Sequence, residues 1–256
     1  MVIETKKTDA IEKLLQEWQD TLVWSCLQGV MGHLYTTSDK QPASAMALLG
    51  DFTFFSGKPD KELVLFKPEW SKQDFMIMVP PTEEWASLIE QSYGEKAKRV
   101  TRYAIKKESL SVFDREKLKG IVATLPAEYD LRMMDEELFV RCREIPWCKD
   151  WAAHFENYDM YQKWGLGAVI LRNDEIVSGA SSYSGYQGGI EIEIITKEAY
   201  RRRGLAGVCG AKLVLECLER GWYPSWDAQN LWSAALAEKL GYHFDHEYAA
   251  YEIWGY

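Results

Sequence analysis

What this chain lacks narrows its chemistry first. No apolar run approaches the ~18 residues that a helix needs to cross a bilayer, and no apolar signal core follows Met1. A membrane is therefore not an expected partner, and the expected location is cytoplasmic. Positive charge is short: 30 Lys and Arg against 39 Asp and Glu leave a formal net charge of -9. A general nucleic-acid binder needs a basic surface, so nucleic acid is not expected as a partner. Five cysteines (Cys26, Cys142, Cys148, Cys209, Cys217) give no even disulfide framework and no metal-ligand spacing. Histidine is scarce, with four in 256 residues. His243 and His246 flank Asp245 closely, but no third ligand has suitable spacing, so no metal is expected. His33 and His154 stand alone and read as structural. No short-period repeat or low-complexity tract is present.

Aromatic residues are plentiful instead, with 11 Trp and 14 Tyr in a chain that is 47% hydrophobic. That suffices for one large domain or two modest ones. Most of the rings read as core. Trp147, Trp151, Trp226 and Trp232 are the ones that would line a pocket.

Apolar periodicity predicts a helix over residues 9–24, capped by Thr8 or Asp9. Strands follow over 29–35, 45–50 and 52–55, with a polar loop over 36–42 and a turn at 56–60. Residues 51–57 read as a core strand and turn, or as an aromatic lid. Residues 75–79 form a continuous apolar strand that Pro80 and Pro81 stop, and Thr82 can cap the next helix. A strand over 100–105 leads into a highly charged stretch. The domain boundary is placed near residue 125, giving an N-terminal α/β domain (1–125) and a second domain (126–256).

The second domain has a strand at 129–133, helices at 135–143 and 150–164, and strands at 167–172 and 175–183 joined by Asn173 and Asp174. Ser181, Ser182 and Tyr183 end that last strand, where the hydroxyls read either as facing the substrate or, as turn-edge serines usually do, as solvated. Then come a strand at 190–195, a helix at 205–220 stopped by Gly221, a strand at 222–226, a helix at 230–240 and a strand at 244–253. The fold class is mixed α/β (α+β), with a mostly antiparallel sheet.

One stretch carries the chemistry. Glu191 and Glu193 alternate with Ile190, Ile192 and Ile194 on a strand. The strand runs through Ile195 and Thr196 into a basic turn, Arg201-Arg202-Arg203-Gly204-Leu205-Ala206, and the turn opens a helix. Backbone N–H groups at such a helix start, the dipole behind them and the guanidiniums beside them suit a pyrophosphate.

This turn resembles the acyl-CoA-binding motif of the GNAT N-acetyltransferase superfamily: Arg or Gln, two residues, Gly, one residue, then Gly or Ala. Arg201, Gly204 and Ala206 fill it. Downstream, Asn230, Ser233 and the run Lys239-Leu240-Gly241-Tyr242 resemble the last strand–helix unit of the same superfamily. The branch most similar is that of the zwittermicin-resistance acetyltransferases, and the resemblance covers most of residues 126–256. It implies acetyl-CoA as co-substrate, with a small-molecule amine as the other partner. The pantetheine arm would pair with backbone near Ile194, Ile195 and Thr196. The pyrophosphate would lie on the N–H groups of Arg202, Arg203, Gly204, Leu205 and Ala206. Asn230 would bond the arm, with Ser233 beside it.

Transfer needs a base for the amine, and often an acid for the departing thiolate. Glu193 and Glu191 are the base candidates, with Glu193 slightly favoured as nearer the motif. The sequence departs from the family pattern at three positions. Glu198 replaces a common proline, and Arg202 replaces a small residue. Ala237 replaces the tyrosine that often serves as acid, which leaves Tyr242, Ser233 or water for that role.

The expected activity is direct transfer of acetyl to a small amine in a ternary complex, with an aminopolyol-type antibiotic as the suggested acceptor. The rival readings are a non-catalytic acyl-CoA-binding module and a protein N-acetyltransferase. The N-terminal domain has no Arg-x-x-Gly-x-Ala turn. It reads as non-catalytic, as a degenerate copy of the same fold and as one wall of the amine site. A homodimer is compatible with this reading.

Overall fold

The computed structural model describes residues 1–38 and 40–256. Asp39, inside the polar loop expected over 36–42, lies outside the described residues. In chain order the first half runs β1 (Ile3–Thr5), α1 (Asp9–Leu15), α2 (Thr21–Gln28), β2 (His33–Thr36), β3 (Ser44–Leu49), β4 (Phe52–Gly57), α3 (Lys61–Val64), β5 (Phe75–Val79), α4 (Glu83–Tyr93), β6 (Ala97–Ile105) and α5 (Arg115–Val122). The second half runs β7 (Asp130–Met133), α6 (Glu136–Glu144), α7 (Tyr158–Trp164), β8 (Gly167–Arg172), β9 (Glu175–Tyr186), β10 (Gly189–Thr196), α8 (Leu205–Arg220), β11 (Tyr223–Ser225), β12 (Asp227–Ala228), α9 (Leu231–Leu240) and β13 (Phe244–Trp254).

The chain forms two compact units, Met1–Arg102 with Glu247–Tyr256, and Tyr103–His246. The sequence placed a boundary near residue 125, but the segment after Arg102 joins the second unit. Its apolar side chains find their partners there: Ile105, Phe113 and Leu118 are buried in one core with Val208, Leu213 and Tyr242.

Both units repeat one order of elements: strand, two helices, three strands, helix, strand, helix, with α5 ahead of it and the short β12 within it as extras in the second. Their ladders repeat too. In the first unit β1–β2, β2–β3 and β3–β4 are antiparallel and β4–β5 is parallel. In the second, β7–β8, β8–β9 and β9–β10 are antiparallel and β10–β11 is parallel. The N-terminal unit is thus a topological copy of the second. A period of about half the chain escapes any search for short repeats.

The copies differ most at the helix that crosses between their parallel strands. That helix has 16 residues in α8 and 4 in α3. Asp60 closes the start of α3, its carboxylate accepting from the N–H of Glu62 at 2.8 Å and of Leu63 at 3.4 Å. Gly204 starts α8 with no side-chain cap. An anion would meet a carboxylate at the first and open donors at the second.

Local capping accounts for most departures from the expected elements. The helix expected over 9–24 divides because Asp20 accepts from Leu22 N–H at 2.8 Å and starts α2. The helix expected over 150–164 shortens to α7 because Asn157 caps it through Met160 N–H at 2.9 Å. Residues 51–57 are core strand rather than lid, with Phe54 and Phe55 buried in β4. Asn173 and Asp174 take φ of 49° and 65°, the left-handed pair that a two-residue hairpin requires.

Candidate active site

The site grows from a divergence of two strands. β9 hydrogen-bonds β10 along one edge from Gly189 to Thr196. On the other edge β11 pairs with β10 for three residues only: Gly189 with Tyr223, Ile190 with Pro224, and Glu191 with Ser225. The chain then turns away at Trp226, and β12 pairs with Ala104 and Tyr103 of β6. Among the described residues no strand covers the edge of β10 from Ile192 to Thr196. Two side-chain bonds hold β11 in this course. The Tyr242 hydroxyl donates to the Pro224 carbonyl at 2.7 Å, and Trp226 Nε1 donates to Ser233 Oγ at 3.0 Å.

The open edge leads to the basic turn. Arg201 Nε donates to the Thr196 carbonyl at 3.2 Å, which folds the turn back on the strand end. Arg202 and Gly204 both lie in the left-handed region, with φ of 61° and 82°. A Cβ on Gly204 would meet nothing within 4 Å, so its face is open to whatever approaches. The first bond inside α8 runs from Val208 N–H to the Gly204 carbonyl at 3.2 Å. The N–H groups of Leu205, Ala206 and Gly207 precede it and point out of the helix start. Gly210, one turn on, lets α8 press on β10: a Cβ there would come within 3.1 Å of Ile194 Cδ1.

A cavity of about 430 Å³ opens over this helix start. Thr196, Arg201, Arg202, Gly204, Leu205 and Ala206, all singled out from sequence, line it. Sequence reasoning missed Ile121 and Thr124, just at and beyond the end of α5, and Lys239 of α9, which line it as well. Lys239 stood inside a motif already noted. Ile121 and Thr124 carried no signal in their charged segment.

Arg203 was grouped with the cofactor residues, but its guanidinium turns elsewhere. It donates to Tyr129 Oη at 3.4 Å and to the Ala199 carbonyl at 3.0 Å, and it lies 5.1 Å over the Tyr200 ring. Ile194 and Ile195 lie on β10 beside the uncovered edge. Asn230 caps α9, its side chain accepting from Ser233 N–H at 3.0 Å, so its amide NH₂ is not used by the cap.

The two carboxylates differ in setting. Glu191 is 8% exposed, while Glu193 is half-buried. Glu191 lies at the last rung before the divergence, with Ser184 of β9 across one ladder and Ser225 of β11 across the other. Burial, and after it neighbouring charges that include Glu191, push the phenols of Tyr186, Tyr223 and Tyr242 above their ordinary range. Opposite the rung between Glu191 and Ile192 the β9 register slips by one residue, and Tyr183 is the extra one. The His154 ring lies 4.3 Å from the Tyr183 ring.

The expectation that Ser181 and Ser182 are solvated is overturned, because β9 continues to Tyr186 and buries both. Ser181 Oγ bonds Tyr161 Oη and the Trp151 carbonyl, each at 2.8 Å, and Ser182 Oγ accepts from Leu166 N–H at 2.8 Å. Of the four tryptophans proposed to line a pocket, Trp151 and Trp226 are core, Trp147 packs edge-on to Trp151 at 5.3 Å, and Trp232 is 81% exposed.

The proton-donor candidates are constrained by their own bonds. Tyr242 is buried, its hydroxyl is spent on Pro224, and burial raises its pKa well above normal. A weaker acid with an occupied proton is poorly placed to serve a thiolate. Ser233 Oγ accepts from Trp226, and Ala237 is buried. His243 Nδ1 lies 2.6 Å from Glu108 Oε2, and His246 Nδ1 lies 3.0 Å from Asp245 Oδ2. Among the described residues no cluster of His, Cys, Asp and Glu could hold a metal ion, and no helix is long and apolar enough to cross a membrane.

Comparison with known proteins agrees with this geometry. The chain is 42% identical to a GCN5-related N-acetyltransferase-like protein from Streptococcus suis 89/1591, whose crystal structure superposes with a TM-score of 0.90 over 95% of this chain and 96% of that one. It is 31% identical over 133 residues to the uncharacterized N-acetyltransferase YdfB of Bacillus subtilis (strain 168), covering 50% of this chain and 49% of that protein. The chain therefore matches about half the length of that curated relative. A tandem GNAT protein from the clavulanic acid biosynthesis pathway shares the fold, with a TM-score of 0.52 at 9% identity over 100% of this chain and 98% of that one. The family description GNAT acetyltransferase matches residues 12–251, and the chain belongs to that family.

Proposed function

We propose that this protein is an acetyl-CoA-dependent N-acetyltransferase that acetylates the amine of a small molecule by direct transfer in a ternary complex. One observation carries the reading: the uncovered edge of β10 ends at Thr196, and Arg201 folds back onto the Thr196 carbonyl from the left-handed, glycine-containing turn that opens the uncapped α8. That arrangement fits an extended arm ending in a pyrophosphate. The backbone donors of Leu205, Ala206 and Gly207, with Arg201 and Arg202, would hold the phosphates. Bound acetyl-CoA supplies an activated acyl thioester.

Glu191 is the better base by position. It stands where the two strands part, whereas Glu193 lies two residues nearer the turn. Its low exposure keeps it out of bulk water. The likeness of residues 126–256 to the zwittermicin-resistance branch supports an aminopolyol or polyamine-like acceptor. The first unit has Asp60 where the second has open donors, which supports a non-catalytic role for that unit.

The test is to incubate the protein with acetyl-CoA and a panel of aminopolyols, polyamines and amino-terminal peptides, and to follow free thiol. Thiol release with a small amine is expected. Acetyl-CoA binding without thiol release from any amine refutes the transferase reading, and release with peptides alone refutes the small-molecule acceptor.

A further inference from the structure

Ala237 leaves the departing thiolate without the usual tyrosine, and the Tyr242 hydroxyl spends its proton on the Pro224 carbonyl. Ser225 stands in a different position. It is the last residue of β11, 1% exposed, and it forms the final rung with Glu191 before the strands part. Its hydroxyl has no hydrogen-bond partner among the described residues. Leaving a buried hydroxyl unpaired is unfavourable, and such groups in native folds call for a reason.

Distance along the strand supplies one. From Thr196, at the mouth of the turn, back to Glu191 is five residues, or about 17 Å at a strand's rise. An extended pantetheine arm anchored by its pyrophosphate at the turn spans a comparable length, so its sulfur arrives at the end of the slot. The Glu191–Ser225 rung closes that end.

We infer that Ser225 is a catalytic residue that hydrogen-bonds the departing CoA thiolate and passes it a proton from Glu191. This inference rests on the transferase reading given above. The steps balance as follows. The amine nitrogen bonds the acyl carbon and gives its proton to the Glu191 carboxylate. The carbon–sulfur bond breaks, and sulfur leaves with the electron pair. The Ser225 hydroxyl gives its proton to sulfur and takes the proton held by Glu191, its neighbour across the rung. Amide and free thiol result, and both side chains return to their starting states. Glu191 and Ser225 are both buried, so little water competes for the proton.

The experiment uses the full chain with an amine found to be acetylated, and measures kcat, acetyl-CoA affinity and Tm for Ser225→Ala and Ser225→Cys. Ser225→Ala is expected to lower kcat about 10- to 100-fold. It should leave acetyl-CoA affinity within about threefold, because a bond to the departing thiolate forms after binding. Its Tm should hold or rise, by up to about 4 °C, since an unpaired buried hydroxyl is removed. Ser225→Cys restores a proton donor of similar size and should recover most of the rate. Wild-type kcat in Ser225→Ala overturns the inference while leaving the transferase reading intact. So does a fall in kcat that tracks an equal loss of affinity and a lower Tm, which marks a structural role. A wild-type protein that binds acetyl-CoA but releases no thiol removes the reading beneath it, and the inference with it.

Discussion

Gly204→Ala separates backbone strain from ligand approach. The residue sits at φ 82°, ψ -4°, and a Cβ there meets no atom within 4 Å. The substitution therefore creates no clash in the protein. It places an alanine in the left-handed region, which costs about 1–2 kcal/mol. For a chain of this size that is a fall of about 2–8 °C in Tm, well short of unfolding. The added methyl group, however, fills the open face over the helix start. Losing one N–H bond to a charged phosphate costs about 1.5–3 kcal/mol, so CoA should bind about 10- to 150-fold more weakly for each bond displaced.

Gly221→Ala is the matched control. Gly221 caps the other end of the same helix at φ 66°, again with nothing within 4 Å. It should show a similar Tm loss with CoA affinity unchanged. Titration calorimetry with CoA and thermal melts of both variants decide the matter. Wild-type affinity in Gly204→Ala refutes the phosphate-binding assignment, and an equal loss in both variants shows that the effect is global.

Other outcomes follow from the same geometry. Glu191→Gln should lower the rate more than Glu193→Gln, with the gap from wild type widest at low pH, where the amine carries a proton that must be removed; the reverse ranking in a pH–rate comparison assigns the base to Glu193. Arg202→Gly relieves a non-glycine residue at φ 61° and should raise Tm by a few degrees, while weakening CoA binding most at low salt; calorimetry at two ionic strengths checks this. Burial pushes the thiols of Cys26 and Cys209 up to about 12. At pH 8 only about one part in 10⁴ of each is then thiolate, so Ellman's reagent should label neither in the native state, and rapid labelling of either contradicts their placement.

The sequence was most legible where local rules and tertiary packing agree. The alternation over 190–195, the turn holding Gly204 and the helix ended by Gly221 all appear as read, because each is specified within a few residues. The Asn173–Asp174 hairpin is of the same kind. Failures lie where distant contacts decide. Nothing local says that Phe113 and Leu118 pack under α8 rather than closing an N-terminal domain. The burial of Ser181 and Ser182 depends on Trp151, Tyr161 and Leu166, which reach them from other elements. Ser225 carries no role in the sequence reading. Its setting depends on which rung is last, and that is a property of the ladder rather than of the residue.

The course of β13 has a consequence for how this chain is made. Tyr251 through Trp254 pair with Met78 back through Phe75, and Tyr251 and Ile253 are buried in one core with Tyr35, Met46 and Phe55. The unit begun first on the ribosome is therefore completed last. Residue 251 is added 149 residues after Arg102, a wait of roughly 7–30 s at ordinary translation speed. The contiguous 103–246 unit has all its strands earlier. During the wait the apolar β5 strand Phe75–Val79 lacks its β13 partner and offers an open edge to other chains. Folding of the nascent protein is thus expected to run from the middle outward, and its yield to depend on chaperone cover of that edge.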